Sequence, residues 1–349
     1  MKFVFFTDIH LCQGTDSKEG FLECLDSMIS HEPQFLVNGG DLGISPEAIS
    51  FYKDATRDLP MPLYLCNGNH EMCSGFVPQE EAGVANRSID SGGIHLIILD
   101  VVRSFEPTEN HPWNWYGLAD DAMLSWLADD LEPLDRQTPV VVASHIPLST
   151  SFPVRKMGQG PGVELPTNEV TNARLILDLL KPFSNVATLH GHDHENCRHF
   201  VDGLEIMTTA AVAGDWWKNG WNSRIPGSRE PQGYRVVDIA ADGAISSRYM
   251  PFVSGQGEPA ELFRHVESGR KFVNVFDGSP LTSVAVSDVG VLPVIDPYAA
   301  SSKGLSTHLY ELPAGFDRRR VDVHIRFEDG RSFNLTVDGT DAPVFRGAL

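Results

Sequence analysis

Over the first two hundred residues the apolar positions fall into two alternating periods. Residues 2–7 form a short apolar run closed by a polar residue, the pattern of a buried strand. From 17 to 30 the apolar residues Phe21, Leu25, Met28 and Ile29 recur at nearly helical spacing. A strand at 35–37 runs into Asn38-Gly39-Gly40-Asp41, a helix is predicted over 46–57, and a Pro-bounded strand at 63–66 ends in the turn Asn67-Gly68-Asn69-His70. Residues 94–99 and 140–143 read as strands on either side of a helix near 119–131, and a helix near 170–181 precedes a strand at 186–189. Strands alternating with helices predict a layered α/β sheet, whose sites assemble from loops at the strand C-termini.

Beyond about residue 197 the pattern changes to short β segments at 204–209, 234–239 and 245–250, broken by Gly, Pro and Asp-Gly turns. Residues 253–269 have the composition of a linker. From Val273 onward the chain is strand-like, with 320–327 and 332–337 joined through Asp329-Gly330 as a hairpin. The expected organisation is an α/β domain over 1–252, a linker over 253–269 and a small all-β sandwich over 270–349. A homodimer through an apolar face of that sandwich is a further expectation.

The length of 349 residues suits about two domains. Hydrophobic and charged fractions of 42% and 21% are those of a globular protein, and no apolar run approaches the roughly 20 residues of a membrane span. The apolar stretch after Met1-Lys2 is too short for a secretory signal, so a cytoplasmic location is expected. Five cysteines without paired spacing (Cys12, Cys24, Cys66, Cys73, Cys197) read as free thiols. A net charge of −20 opposes binding to a nucleic-acid duplex or an anionic membrane, leaving a small-molecule partner.

The predicted strands end on metal-ligand residue types: Asp8-Ile9-His10, Gly40-Asp41, Gly68-Asn69-His70-Glu71, Ser144-His145 and Gly191-His192-Asp193-His194. In extended backbone, residues two apart share a face, so Asp8/His10 and His192/His194 each converge if strand geometry persists. Burying two Asp and four His at strand ends without a cation would be costly. An isolated histidine is more often a core or surface residue, which is the reading for His31, His95, His199, His265, His308 and His324. His190 packs inside its strand or supports the cluster.

These blocks (D-x-H, G-D, G-N-H-[DE], a lone His and G-H-x-H, in order across about 4–194) resemble the calcineurin-like metallophosphoesterase superfamily. The resemblance implies a four-layer α/β/β/α sandwich binding two Mn, Fe or Zn ions. Asp8, His10, Asp41 and His194 would hold one ion; Asn69, His145, His192 and the shared Asp41 would hold the other. Mixed carboxylate and imidazole donors suit those transition metals. The implied reaction is hydrolysis of a small-molecule phosphate ester by a metal-bridging hydroxide, with Asp41 and Asn69 in the catalytic centre and His70 as general acid or oxyanion stabiliser. Asp193 and Glu71 are candidates for orienting the ligands.

Similarity of the core to bacterial phosphodiesterases favours a diester; a phosphomonoesterase and a non-catalytic scaffold are the alternatives. Residues 103–117 and 149–168 are candidate rims of the site, and Arg155, Trp113 and Trp216 candidate substrate contacts, with Trp115 and Trp217 as further aromatic candidates. The segments Ala213-Gly214-Asp215-Trp216-Trp217, Pro231-Gln232-Gly233-Tyr234-Arg235-Val236 and Val273-Asn274-Val275-Phe276-Asp277-Gly278 resemble those of bacterial members that carry an extra C-terminal domain. Removing residues beyond about 270 is expected to leave chemistry on a small activated diester largely intact.

Overall fold

The computed structural model describes residues 1–11, 17–43, 45–73, 86–105, 114–152, 166–212, 232–251, 259–264, 269–293 and 308–338. Its first half contains β1 (Lys2–Phe6), α1 (Ser17–Ile29), β2 (Leu36–Asn38), α2 (Pro46–Thr56), β3 (Leu63–Leu65) and the short α3 (Asn69–Cys73). There follow β4 (Arg87–Ser91), β5 (Ile94–Leu99), β6 (Val102–Ser104), β7 (Trp115–Leu118), α4 (Asp121–Leu131), β8 (Val140–Ser144), β9 (Val170–Thr171), α5 (Ala173–Leu180) and β10 (Val186–His190). The remaining strands of the two main sheets are β11 (Cys197–Val201), β12 (Leu204–Thr208), β13 (Gly233–Ile239) and β14 (Ile245–Pro251).

One sheet has the order β14-β13-β1-β2-β3 and the other β11-β12-β10-β8-β5-β4. In the first sheet β1, β2 and β3 run parallel; in the second, β5, β8, β10 and β12 do. All six residues of β5 and all five of β8 are buried, as expected of parallel strands covered on both faces. Phe3, Phe5 and Val37 from the first sheet meet Leu96, Val141 and Leu189 from the second in a core between the sheets. Outside the first sheet, Val4 and Phe6 pack with Phe21 and Met28 of α1 and Ile49 of α2. Outside the second, Ile97 and Val142 pack with Leu127 of α4 and Ile176 of α5. This is the expected four-layer α/β/β/α sandwich.

Helix boundaries follow local chemistry. The Ser45 hydroxyl accepts from the Ala48 N–H ahead of Pro46, and the Asp120 carboxylate accepts from the Met123 N–H at the start of α4. β4, β6, β7, β9 and β11 were not among the predicted strands, and β9 takes the first residues of the helix predicted near 170–181. The small β6-β7-β9 sheet has only two to four residues per strand, too few to establish a period.

Towards the C-terminus lie β15 (Ala260–Arg264), β16 (Lys271–Val275), β17 (Ser283–Val286), β18 (Gly290–Val291), β19 (Leu309–Glu311), β20 (Arg320–Arg326) and β21 (Ser332–Asp338). They form sheets β15-β16-β19 and β18-β17-β20-β21, with Leu262, Val273 and Tyr310 packed against Val284, Val323 and Ile325. The 320–327/332–337 hairpin is present as β20 and β21. Within the stretch read as a linker, 260–264 is a strand paired with β16.

Candidate metal centre

The segments following β1, β2, β3, β8 and β10 converge at one end of the two sheets. The first two are held together through their backbones: Asp8, His10 and Leu11 N–H groups donate to the carbonyls of Gly40, Asp41 and Leu42 at 3.0, 3.0 and 2.7 Å. Asp8, His10, Asp41, His192 and His194 all adopt left-handed backbone, with φ of 55°, 47°, 56°, 70° and 55°. The expected strand alternation is therefore corrected. β1 ends at Phe6 and β10 at His190, and the side chains converge because the chain turns sharply after each strand. For residues with a Cβ this conformation costs about 1–2 kcal/mol each and persists only where surrounding contacts enforce it.

Two glycines permit the crowding by having no side chain. A Cβ on Gly68 would overlap Asp41 Oδ1, and one on Gly191 would overlap Thr7 Oγ1 and stand 2.5 Å from Asp8 Oδ2.

All seven candidate ligands come together, in two groups that share Asp41. Asp8, His10, Asp41 and His194 each offer an atom within 4.8 Å of the others, and so do Asp41, His145 and His192. His10 Nε2 faces His194 Nε2 at 3.0 Å, and Asp8 Oδ1 lies 3.1 Å from His194 Nε2. In the second group, His145 Nε2 is 3.4 Å from Asp41 Oδ2, 3.0 Å from Asn69 Oδ1 and 3.2 Å from His192 Nδ1. The buried Asp8 Oδ1 has no hydrogen bond of good geometry, while Asp8 Oδ2 accepts from Thr7 Oγ1 at 2.7 Å and from the His192 N–H at 3.0 Å. Facing imidazole nitrogens, a carboxylate shared between two groups and an orphaned buried oxygen are donors that could hold a pair of cations. The residues present fit the implied metals.

Surrounding groups determine which nitrogen of each ring faces inward. His145 Nδ1 donates to the Gly39 carbonyl at 2.8 Å, turning Nε2 to the centre. His192 Nε2 donates to the Thr167 carbonyl at 2.7 Å, turning Nδ1 inward. That carbonyl also accepts from Trp115 Nε1 at 3.2 Å, and the Trp115 ring stands edge-on to His192. Trp115 thus supports the wall of the site. Sequence reading missed the roles of Thr7 and Thr167, and a backbone carbonyl leaves no sequence signal.

Glu71 ties two loops together: its carboxylate accepts from the N–H groups of Asp41 at 2.9 Å, Leu42 at 2.5 Å and Gly68 at 2.7 Å. Asp193 accepts from Thr150 Oγ1 at 2.5 Å and from Asn168 Nδ2 at 3.4 Å, tying its loop to the segments that flank it. His190 stays within its strand, bonded to Ser144 Oγ and Thr188 Oγ1, as expected for a packed histidine. Arg155, Trp113 and Trp216 lie outside the described residues.

Electrostatics separate the histidines. Burial pulls the His145 imidazole down, but the carboxylates of Asp41, Asp8 and Glu71 outweigh it and raise its pKa to about 10. His70 goes the other way: burial, reinforced by neighbouring imidazoles, outweighs Asp41 and lowers it to about 4. Burial and then the charge of Asp41 lift Glu71 to about 7, against the pull of its backbone donors. Asp41 is held well below the usual carboxylate range, its burial outweighed by His145 and His70. The His70 side chain is 17% exposed, against 2% for Asp41 and 0% for His145, so it faces the mouth of the site.

Comparison with known proteins agrees with this geometry. The dimetal phosphatase LOC 393393 from Danio rerio superposes with a TM-score of 0.53 at 14% identity, covering 71% of this chain and 98% of that one, a likeness of fold. A DNA double-strand break repair protein Mre11 from Methanococcus maripaludis is 34% identical over 87 residues, 21% of this chain; the match spans only 23% of that curated relative. The family model for calcineurin-like phosphoesterases matches residues 1–196, more than half of the 349. The chain belongs to the calcineurin-like phosphoesterase family.

Proposed function

We propose that this phosphoesterase-type hydrolase cleaves a small phosphodiester using two transition-metal ions, Mn, Fe or Zn. One would be held by Asp8, His10, Asp41 and His194, the other by Asp41, Asn69, His145 and His192. The observation that carries the reading is the pair of donor groups sharing the Asp41 carboxylate. When bound, such ions supply a nucleophile from water at neutral pH and neutralise charge on the phosphoryl oxygens.

The protein's own residues do the rest. Glu71 fixes the Asp41 backbone, and the Gly39 and Thr167 carbonyls fix the tautomers of His145 and His192. His70, 3.7 Å from Asp41 Oδ2 at the mouth of the site, is neutral at pH 7. It therefore serves as an N–H donor to a phosphoryl oxygen as charge builds there, which refines the general-acid expectation towards oxyanion stabilisation. Preference for a diester over a monoester rests on the similarity of the core blocks to those of bacterial phosphodiesterases.

We read residues 1–252 as the catalytic domain and the strands from β15 onward as a separate β unit. No helix among the described residues is long and apolar enough to cross a membrane. The buried thiols of Cys24 and Cys66 are unpaired, which supports a reducing compartment such as the cytoplasm.

The test is turnover of Mn-loaded protein on bis-p-nitrophenyl phosphate, p-nitrophenyl phosphate, cyclic nucleotides, nucleoside diphosphate sugars and glycerophosphodiesters. The diesters should be cleaved with the higher kcat/KM. Preference for p-nitrophenyl phosphate would make the protein a monoesterase. Metal binding without turnover on any substrate would make it a scaffold.

A further inference from the structure

Parts of two segments that the metal centre does not use, Gln232-Gly233-Tyr234-Arg235-Val236 and Val273-Asn274-Val275-Phe276-Asp277-Gly278, meet in the folded chain. Arg235 on β13 is fully buried, and its Nη1 lies 3.3 Å from Asp277 Oδ1 and 3.3 Å from Ser247 Oγ. Its Nε donates to Thr209 Oγ1 at 3.2 Å, and its Nη2 donates to Asn196 Oδ1. The Asn196 amide in turn donates to the Phe276 carbonyl. Asp277 takes a second cation, Arg331 Nη2, at 2.9 Å, and its carbonyl accepts from Arg198 Nη1 at 3.3 Å. Arg198 is itself paired with Glu205 and with Glu328 at 2.5 Å each.

This network sits directly behind the metal centre. Asn196 is two residues past His194, at the far end of the turn that begins with Gly191. Thr209 grips the near end, its N–H donating to the His190 carbonyl at 2.9 Å. Arg235 is also the register partner of Phe5 on β1, the strand that leads to Asp8 and His10. One buried guanidinium therefore bonds the far end of the His192/His194 turn directly and its near end only through Thr209, while lying on the strand beside that of Asp8. Its nearest carboxylate, Asp277, belongs to the C-terminal unit. Without that counter-charge a buried guanidinium would have to move towards water or recruit another partner, and Asn196 would move with it.

We propose that Asp277 is a positioning residue for the metal centre. Through Arg235 and Asn196 it holds the His194-bearing turn, and so sets the affinity of the Asp8, His10, Asp41 and His194 group for its ion. The C-terminal unit is then part of the metal-binding apparatus, contrary to the expectation that chemistry survives removal of residues beyond about 270. This inference rests on the two-metal reading above.

The experiment is a calorimetric titration of Mn²⁺ into metal-free full-length protein, wild type and Asp277→Asn, alongside thermal unfolding of the metal-free forms. Asn196→Ala is the second variant; it cuts the relay while leaving the Asp277–Arg235 pair intact, so the fold survives if Asp277→Asn does not. In each folded variant one of the two equivalents should weaken about 10–100-fold, with the other unchanged and excess Mn²⁺ restoring occupancy. Two equivalents bound by Asn196→Ala as tightly as by wild type would overturn the relay, as would equal weakening of both. A merely structural role would lower the melting temperature and leave both affinities in place. Wild-type protein that binds fewer than two equivalents would instead defeat the two-metal reading.

Discussion

Replacing Glu71 with Gln separates stability from site geometry, because the two effects have different sizes. Glu71 Oε2 accepts from the Asp41 and Gly68 N–H groups and Oε1 from Leu42. In the amide, one oxygen keeps two of these bonds and the NH₂ group is left facing a buried donor, at a cost of about 1–3 kcal/mol. In the other direction, the amide avoids ionising a buried group whose pKa is lifted from 4.5 to about 7, worth about 3 kcal/mol. The metal-free variant should thus be at least about as stable as wild type by urea unfolding. Its metal affinity should suffer nonetheless. The Asp41 loop loses its anchor, and because Asp41 is shared, both Mn²⁺ equivalents should weaken about 10–100-fold by calorimetry. Wild-type affinity at both positions would refute the argument that Glu71 holds Asp41 in place.

Three further outcomes are expected. Asp41→Ala should abolish binding of both equivalents at micromolar Mn²⁺, and normal turnover with two ions bound would contradict the shared-carboxylate assignment. His70→Ala should keep both ions while kcat on bis-p-nitrophenyl phosphate falls about 10²–10³-fold, the loss typical of one oxyanion donor; unchanged kinetics would make His70 a bystander. Metal-free His145, with its pKa near 10, is protonated at neutral pH, and coordination requires the neutral ring. Binding should therefore release a proton and tighten about tenfold per pH unit between roughly 7 and 9, read from calorimetry in buffers of different ionisation enthalpy. By linkage, the contribution of His145 to the stability of the metal-free protein is fully present below about pH 6.5 and is lost as pH rises towards 10. Melting temperatures of metal-free protein that do not fall over that range would contradict the raised pKa.

Much of this was legible in the chain because the strongest signals were local. Runs such as 140–143, and 94–99 apart from His95, are apolar, which only a strand covered on both faces tolerates, and each ligand block follows its strand within a few residues. The left-handed turns at Asp8 and His192 were not legible: residue identity shows that two groups are close in sequence, and tertiary contacts decide how the chain turns between them. β11 was missed because Cys197-Arg198-His199-Phe200-Val201 alternates weakly, its Arg198 being buried against Glu205 on the next strand and against Glu328, which is far away in sequence. The pairing of Arg235 with Asp277 spans more than forty residues, and neither residue carries a local signal of burial.

Asp8, His10, Asp41 and Asn69 follow strands of one sheet, and His145, His192 and His194 follow strands of the other. Each proposed ion would thus be a rivet through the two halves of the sandwich, fastening at its open end layers that meet elsewhere in a core of side chains. The gap between the layers at that end would then decide whether each donor group can close on its ion. A substitution deep in the shared core, such as Leu189→Ala, would then be felt as a change in catalysis before it was felt as unfolding.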